Sequence, residues 1–159
     1  MKKTALLVAT LLLAALHHSA ALAAPTLNGT WKSSRELTMA FLRNNVRLQP
    51  RSEHFLEQLM GHLTVHFDGQ NITHEMPDLE IEINNVKRPF KGLREQNTYK
   101  VLFTNATTVA IQSRELFTQN EYVQIYHFVD DDTVWIYVGD SEAASRFFPH
   151  LREYFIRVK

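Results

Sequence analysis

The sequence predicts a mainly β fold: a single antiparallel up-and-down β-barrel of about eight or nine strands, with a helix-turn-helix inserted after the first strand. Three observations carry that expectation. A Gly-x-Trp tripeptide, Gly29-Thr30-Trp31, opens an extended segment, helical periodicity follows it at once, and from Leu63 to Val158 the apolar period is two.

The first segment reads as a leader. Met1-Lys2-Lys3 is a charged start, Thr4 to Leu16 is an apolar run and Ala21-Leu22-Ala23 is a small-x-small cleavage signal, the pattern of a secretory signal peptide over residues 1–23. The run is too short for a comfortable membrane anchor, so no transmembrane segment is expected after cleavage. Lysines directly after Met1 suggest an exported protein of the bacterial envelope, periplasmic or secreted. Removing 23 of the 159 residues leaves 136, residues 24–159, the size of one domain with a sizeable core. Loss of Lys2 and Lys3 from 17 basic and 17 acidic side chains leaves a formal charge of −2. That balance argues against a nucleic-acid partner, which selects for a basic stripe. With no cysteine, stability has to come from packing rather than disulfides.

In Asn28-Gly29-Thr30-Trp31-Lys32, Gly29 allows close backbone approach, and Trp31 is a large apolar plug whose indole N–H needs a partner. Ser33-Ser34-Arg35-Glu36 fits a capping box with Ser33 as the cap. Leu37, Ala40, Phe41 and Leu48 then fall on one side of a helix. A second helix starts near Pro50 or Ser52, carries Phe55, Leu56, Leu59 and Met60, and stops at Gly61. Strands follow. Leu63, Val65 and Phe67 alternate with polar residues, Asp68-Gly69 turns the chain, and Ile72, His74 and Met76 return. The later units are Leu79-Ile81-Ile83, Tyr99-Val101-Phe103, Val109-Ile111, Val123-Ile125, Val134-Ile136-Val138 and Tyr154-Ile156-Val158. Turns fall at Asn84-Asn85, Pro89 with Gly92, Asn105-Ala106, Asn120, Asp130-Asp131-Asp132 and Gly139-Asp140. Ser141 to Pro149, with Phe147 and Phe148, is a long connection: a flap over one barrel end, or a plain crossover. Closing the sheet is the simplest way to remove its edges.

This order of parts resembles the calycin group, and the helical insertion after the first strand is similar to that of fatty-acid-binding proteins; lipocalins share the barrel without it. Arg152-Glu153-Tyr154 is similar to the Arg-x-Tyr pair that fatty-acid-binding proteins place on their last strand to hold a carboxylate. Arg152 and Tyr154 share a strand face, and a guanidinium with a phenol can hold a carboxylate where water is scarce. The lipocalin comparison implies another role for a last-strand Arg, packing over the first-strand Trp. Either Arg152 or Arg157 can do this with Trp31, and if Arg152 and Tyr154 point inward then Arg157 points outward.

No nucleophile elbow, phosphate loop or zinc helix occurs, so no catalytic residue, metal site or cofactor is assigned. His62 and His66 lie about 13 Å apart on a strand, too far to share an ion. Glu80 and Glu82 read as the wet face of a strand, and the Asp130-Asp131-Asp132 run as a solvated turn. His74 falls on an apolar stripe, either as a polar handle in a cavity or as a hydrogen-bonded core residue. The resemblance implies a non-enzymatic binding protein for a small hydrophobic or amphipathic, fatty-acid-like ligand inside the barrel. Arg152 and Tyr154, helped by Tyr126 or His74, would fix the head group, with Gly29, Trp31 and Arg157 structural. The alternative is an envelope protein-protein interaction module whose barrel is filled by its own side chains; a weaker one is an enzyme using His74 and a carboxylate.

Overall fold

The computed structural model describes residues 24–114, 120–138 and 151–159. The expected leader, and the long connection with Phe147 and Phe148, lie outside the described residues. The described chain runs β1 (Gly29–Ser33), α1 (Arg35–Asn45), α2 (Pro50–Leu59), β2 (Thr64–Asp68), β3 (Asn71–Met76), β4 (Leu79–Ile83), β5 (Val86–Phe90), β6 (Leu93–Thr98), β7 (Lys100–Thr104), β8 (Thr108–Arg114), β9 (Glu121–Asp130), β10 (Thr133–Tyr137) and β11 (Arg152–Val158). The fold is mainly β, with the helix pair after the first strand, as expected. Nine strands form one antiparallel sheet in the order β6-β3-β2-β1-β11-β10-β9-β8-β7.

The two ends of that sheet, β6 and β7, follow one another in the chain with Tyr99 alone between them. One long bent strand therefore pairs with β3 through its first half and with β8 through its second. Chain continuity does the closing. At the bend the Tyr99 N–H donates to the Gln70 carbonyl at 2.8 Å, and the Ser113 hydroxyl of β8 donates to the Thr98 carbonyl at 3.1 Å. The result is a nearly closed barrel, which leaves little free edge.

The remaining hairpin, β4 with β5, is a separate two-stranded sheet. Asn84 and Asn85 hold φ of 55° and 60°, the left-handed pair of a two-residue hairpin turn. Such a hairpin is marginal alone. Here Gln58 of α2 holds it like a third strand: its Oε1 accepts from Glu82 N at 2.6 Å and its Nε2 donates to Glu82 O at 3.1 Å. Ile81 is buried. Pro89, expected in a turn, lies within β5 opposite Glu80. A two-stranded hairpin has free outer edges, and there a missing N–H is tolerated. A Cβ at Gly92 would overlap the Met76 carbonyl, so glycine is required where β6 begins against the end of β3.

Packing divides into two clusters. Leu27, Trp31, Val65, Phe67, Ile72, Val109, Ile111, Tyr126, Phe128, Val134 and Phe155 fill the barrel. Met39, Leu42, Leu56, Met60 and Leu151 join α1 and α2 to the start of β11. Three expectations are corrected at the helices and at β11. The cap of α1 is Ser34, whose Oγ accepts from Leu37 N at 3.3 Å; Ser33 stays in β1, paired with Phe155. The buried face of α1 is Thr38, Met39 and Leu42, whereas Leu37 and Ala40 are exposed. The core face of β11 is Glu153 and Phe155, continuing Leu151 just before the strand, not Tyr154-Ile156-Val158.

Candidate functional site

The barrel interior is built from alternate residues of each strand. At one end Trp31 is 1% exposed, and its indole N–H donates to the Leu27 carbonyl at 2.7 Å. Arg157 lies over its ring, 4.1 Å from the centroid. The guanidinium donates to the carbonyls of Asn28 at 2.6 Å, Thr26 at 2.9 Å and Asp131 at 3.1 Å, and Asp132 stands 3.5 Å away. Gly29 makes room for it. Its φ is +112°, and a Cβ there would lie 3.2 Å from Arg157 Nη1. Phe128 and Phe155 complete this dry end, Phe128 with its ring edge-on to Trp31 at 5.9 Å.

Between the two apolar clusters lies a polar layer. Glu153 follows Leu151 of the helical cluster and precedes Phe155 of the barrel cluster on the same face. Its Oε1 accepts from the Ser33 hydroxyl at 2.5 Å, and Ser33 Oγ accepts from Gly61 N at 2.9 Å. The Gly61 amide thus donates to Ser33, and the Ser33 hydroxyl in turn donates to Glu153. Burial pushes the Glu153 carboxyl up to about 7, partly opposed by the Ser33 hydrogen bond. Tyr126 is buried on the same inner side. Burial pushes its phenol well above the ordinary value, and Tyr122, Tyr99 and Glu153 act in the same sense.

His74 is also buried. It pairs across the sheet with Val65 on one side and Glu95 on the other, and its Nδ1 has no hydrogen-bond partner. Burial pushes its imidazole below the ordinary value, and the nearby Glu95 carboxylate opposes this. At neutral pH His74 is therefore neutral and can accept at one ring nitrogen.

Arg152 and Tyr154 share a face, as their spacing requires, but it is the outer one. Arg152 lies over the rings of Trp135 at 3.9 Å, Phe41 at 4.6 Å and Tyr137 at 5.5 Å. Tyr154 faces Phe41 of α1 at 6.0 Å. The inward-pointing Arg152–Tyr154 pair is thus corrected. Glu153 takes the inner position, where the hydroxyl of Ser33, on the inner face of β1 with Trp31, donates to it. Four sequence-proposed residues, Trp31, Arg157, Tyr126 and His74, do lie on the inner side, while Gly29 lines the Arg157 end.

Sequence reasoning passed over Glu153 and Ser33. The signal was present: Glu153 alternates with Leu151 and Phe155, and Ser33 with Trp31, so each is a polar residue on an apolar stripe. It also passed over the outer stack in which His127 lies flat on Trp135 at 4.0 Å, with Tyr137 edge-on to Trp135 at 5.0 Å.

A cavity of about 710 Å³ opens at the seam where β6 gives way to β7, lined by Tyr99, Thr98, Ser113, Gln112, Val101 and Gly69. Exposed Lys100, Arg114 and Glu121 stand at its mouth. Ser113 and Tyr99 connect it to the inner face, since Ser113 pairs with Tyr122 and Tyr99 meets Phe67 edge-on at 5.3 Å. Among the described residues no group of three His, Asp or Glu is placed to hold a metal ion, and no helix is long and apolar enough to cross a membrane. No protein-family model, curated protein or solved structure matches this chain.

Proposed function

We propose that this is an exported binding protein that holds a small amphipathic ligand non-covalently in its barrel, its apolar part against the aromatic cluster and its head in the polar layer. The observation that carries the reading is the polar content of an otherwise apolar interior: Glu153, Tyr126 and His74 are buried on the inner face of an aromatic-rich barrel, and His74 Nδ1 has no hydrogen-bond partner. A core that served packing alone would gain from apolar side chains at those positions. The seam cavity is a route inward, and the β6–β7 bend is the part of the barrel that can yield.

Native mass spectrometry of the protein purified gently from its host tests this. A stoichiometric small mass, released on denaturation, is expected. A bare protein that also fails to take up the neutral apolar dye N-phenyl-1-naphthylamine overturns it.

A second reading, an interaction module working through the outer face, is favoured by a different observation. Val123 and Ile125 of β9, Tyr137 of β10, and Ile156 and Val158 of β11 are all exposed beside the Trp135–Arg152 stack. Exposed apolar side chains grouped on neighbouring strands mark contact surfaces. Charged substitutions at Ile125 and Ile156 would abolish partner cross-linking on this reading and leave ligand content unchanged on the first.

A further inference from the structure

We propose that the unpaired edge of β7 is a docking surface for a second copy of this chain, the two β7 strands running antiparallel about a two-fold axis near Leu102. Such pairing is independent of what the barrel interior holds.

The bend at Tyr99 closes the barrel by dividing one long strand between two neighbours, and it leaves one length of edge uncovered. β7 ends the nine-stranded order, pairs with β8 alone and packs along no other strand or helix. Before it the Tyr99 N–H is taken by Gln70, and after it the Asn105 N–H is taken by Thr108. Between them, among the described residues, no backbone group from Lys100 to Thr104 has a partner on the second edge. The register shift between Val101 and Phe103 also leaves Leu102 unmatched on β8. Val101 is 49%, Leu102 47% and Phe103 53% exposed. An edge this open and apolar is the part of a sheet that recruits another strand.

The occupant that matches this edge is its own copy. β7 carries a single charge, Lys100 at its start, and ends on Thr104. Antiparallel pairing therefore sets each lysine beside the uncharged end of the other strand and brings residues 101–103 of both together. An isologous contact requires that self-complementarity. A slot of about 240 Å³ beside the same edge, lined by Leu27, Val101, Thr104 and Val109, gives room for one apolar side chain of the second copy. Phe103 shares the outer face with Ala110 and Ile125 across β8 and β9, so the apolar surface of one copy continues into that of the other. Three half-exposed side chains and one short strand bury less than the roughly 800 Å² per partner of a standard interface, which sets the dissociation constant on the order of 10 µM.

Sedimentation of the protein purified from its host tests this, at concentrations from about tenfold below to about fiftyfold above that constant. The mass should rise from one chain to two. Leu102→Lys sets two ammonium groups at the two-fold axis and should weaken the dimer by at least about tenfold. Leu102→Glu should do the same, and an equimolar mixture of the two variants should recover the dimer, because unlike charges then meet at the axis. Ile156→Lys, on the outer face four strands away, should dimerise as the wild type does. In the wild type, amide exchange at residues 101–104 should slow by about tenfold across the same range. A single-chain mass throughout overturns the proposal and leaves the edge to an extended segment of another protein. A dimer that survives Leu102→Lys, or that Ile156→Lys abolishes, overturns it by placing the contact elsewhere. Unchanged exchange at residues 101–104 in a dimeric sample overturns it without any substitution.

Discussion

Arg157 lies over the Trp31 indole at 4.1 Å and donates to three backbone carbonyls, tying the last strand, the segment before the first strand and the Asp131 turn to one buried ring. One side chain closes that end of the barrel. Arg157→Met keeps the aliphatic stem and removes the donors, and should destabilise by about 2–4 kcal/mol. Arg157→Lys should recover less than half, because an ammonium cannot reach three carbonyls as a planar fork does. Urea unfolding measures both. A loss of less than about 0.5 kcal/mol in the Met variant would show that Trp31 holds this end without Arg157.

Glu153 makes stability depend on pH. Its carboxyl titrates at about 7 in the folded protein and at about 4.3 in an unfolded chain. Between those values the native state holds a proton that the unfolded state has released, so stability falls as pH rises and levels off above 7. Tyr126 is the inner-face ionisable group that interacts with it, and it stays neutral throughout this range. Relative to Glu153→Gln, the native protein should lose on the order of 3 kcal/mol from pH 4.5 to pH 8. A difference that stays constant across that range would mean that the carboxyl is not buried as described.

His127 reports on the outer stack. Its imidazole is held below the ordinary value first by burial and then by the Arg152 cation. Arg152→Ala should therefore move the His127 titration upward, without full return because burial remains. NMR titration of the ring protons reads it, and a downward or absent shift would contradict the arrangement of Arg152 beside Trp135.

Gln58 anchors the β4–β5 hairpin through both of its amide atoms. Gln58→Ala should raise hydrogen exchange at Glu82 by about tenfold and leave Phe67 and Ile111 amides protected, given a cost of roughly 1–2 kcal/mol for the lost pair. Equal acceleration throughout the barrel would show that the hairpin is part of the main cooperative unit.

Much of the architecture was legible along the chain because it is local. The switch from a period near 3.6 to a period of two places the helices and strands, and Asp68-Gly69 and Asn84-Asn85 mark hairpins by their backbone chemistry alone. Trp31 as a plug and His74 on an apolar stripe were readable for the same reason. The faces of β11 were not. Leu151, Glu153 and Phe155 alternate with Arg152, Tyr154 and Ile156, and both sets contain large apolar side chains, so alternation states which residues go together without stating which set goes in. That choice belongs to the tertiary structure: Ser33 and Gly61 supply the hydrogen bonds that let Glu153 be buried, and α1 supplies the Phe41 ring that lets Arg152 stay out. A strand pattern has two equivalent faces until a neighbour makes one of them the cheaper place for a charge.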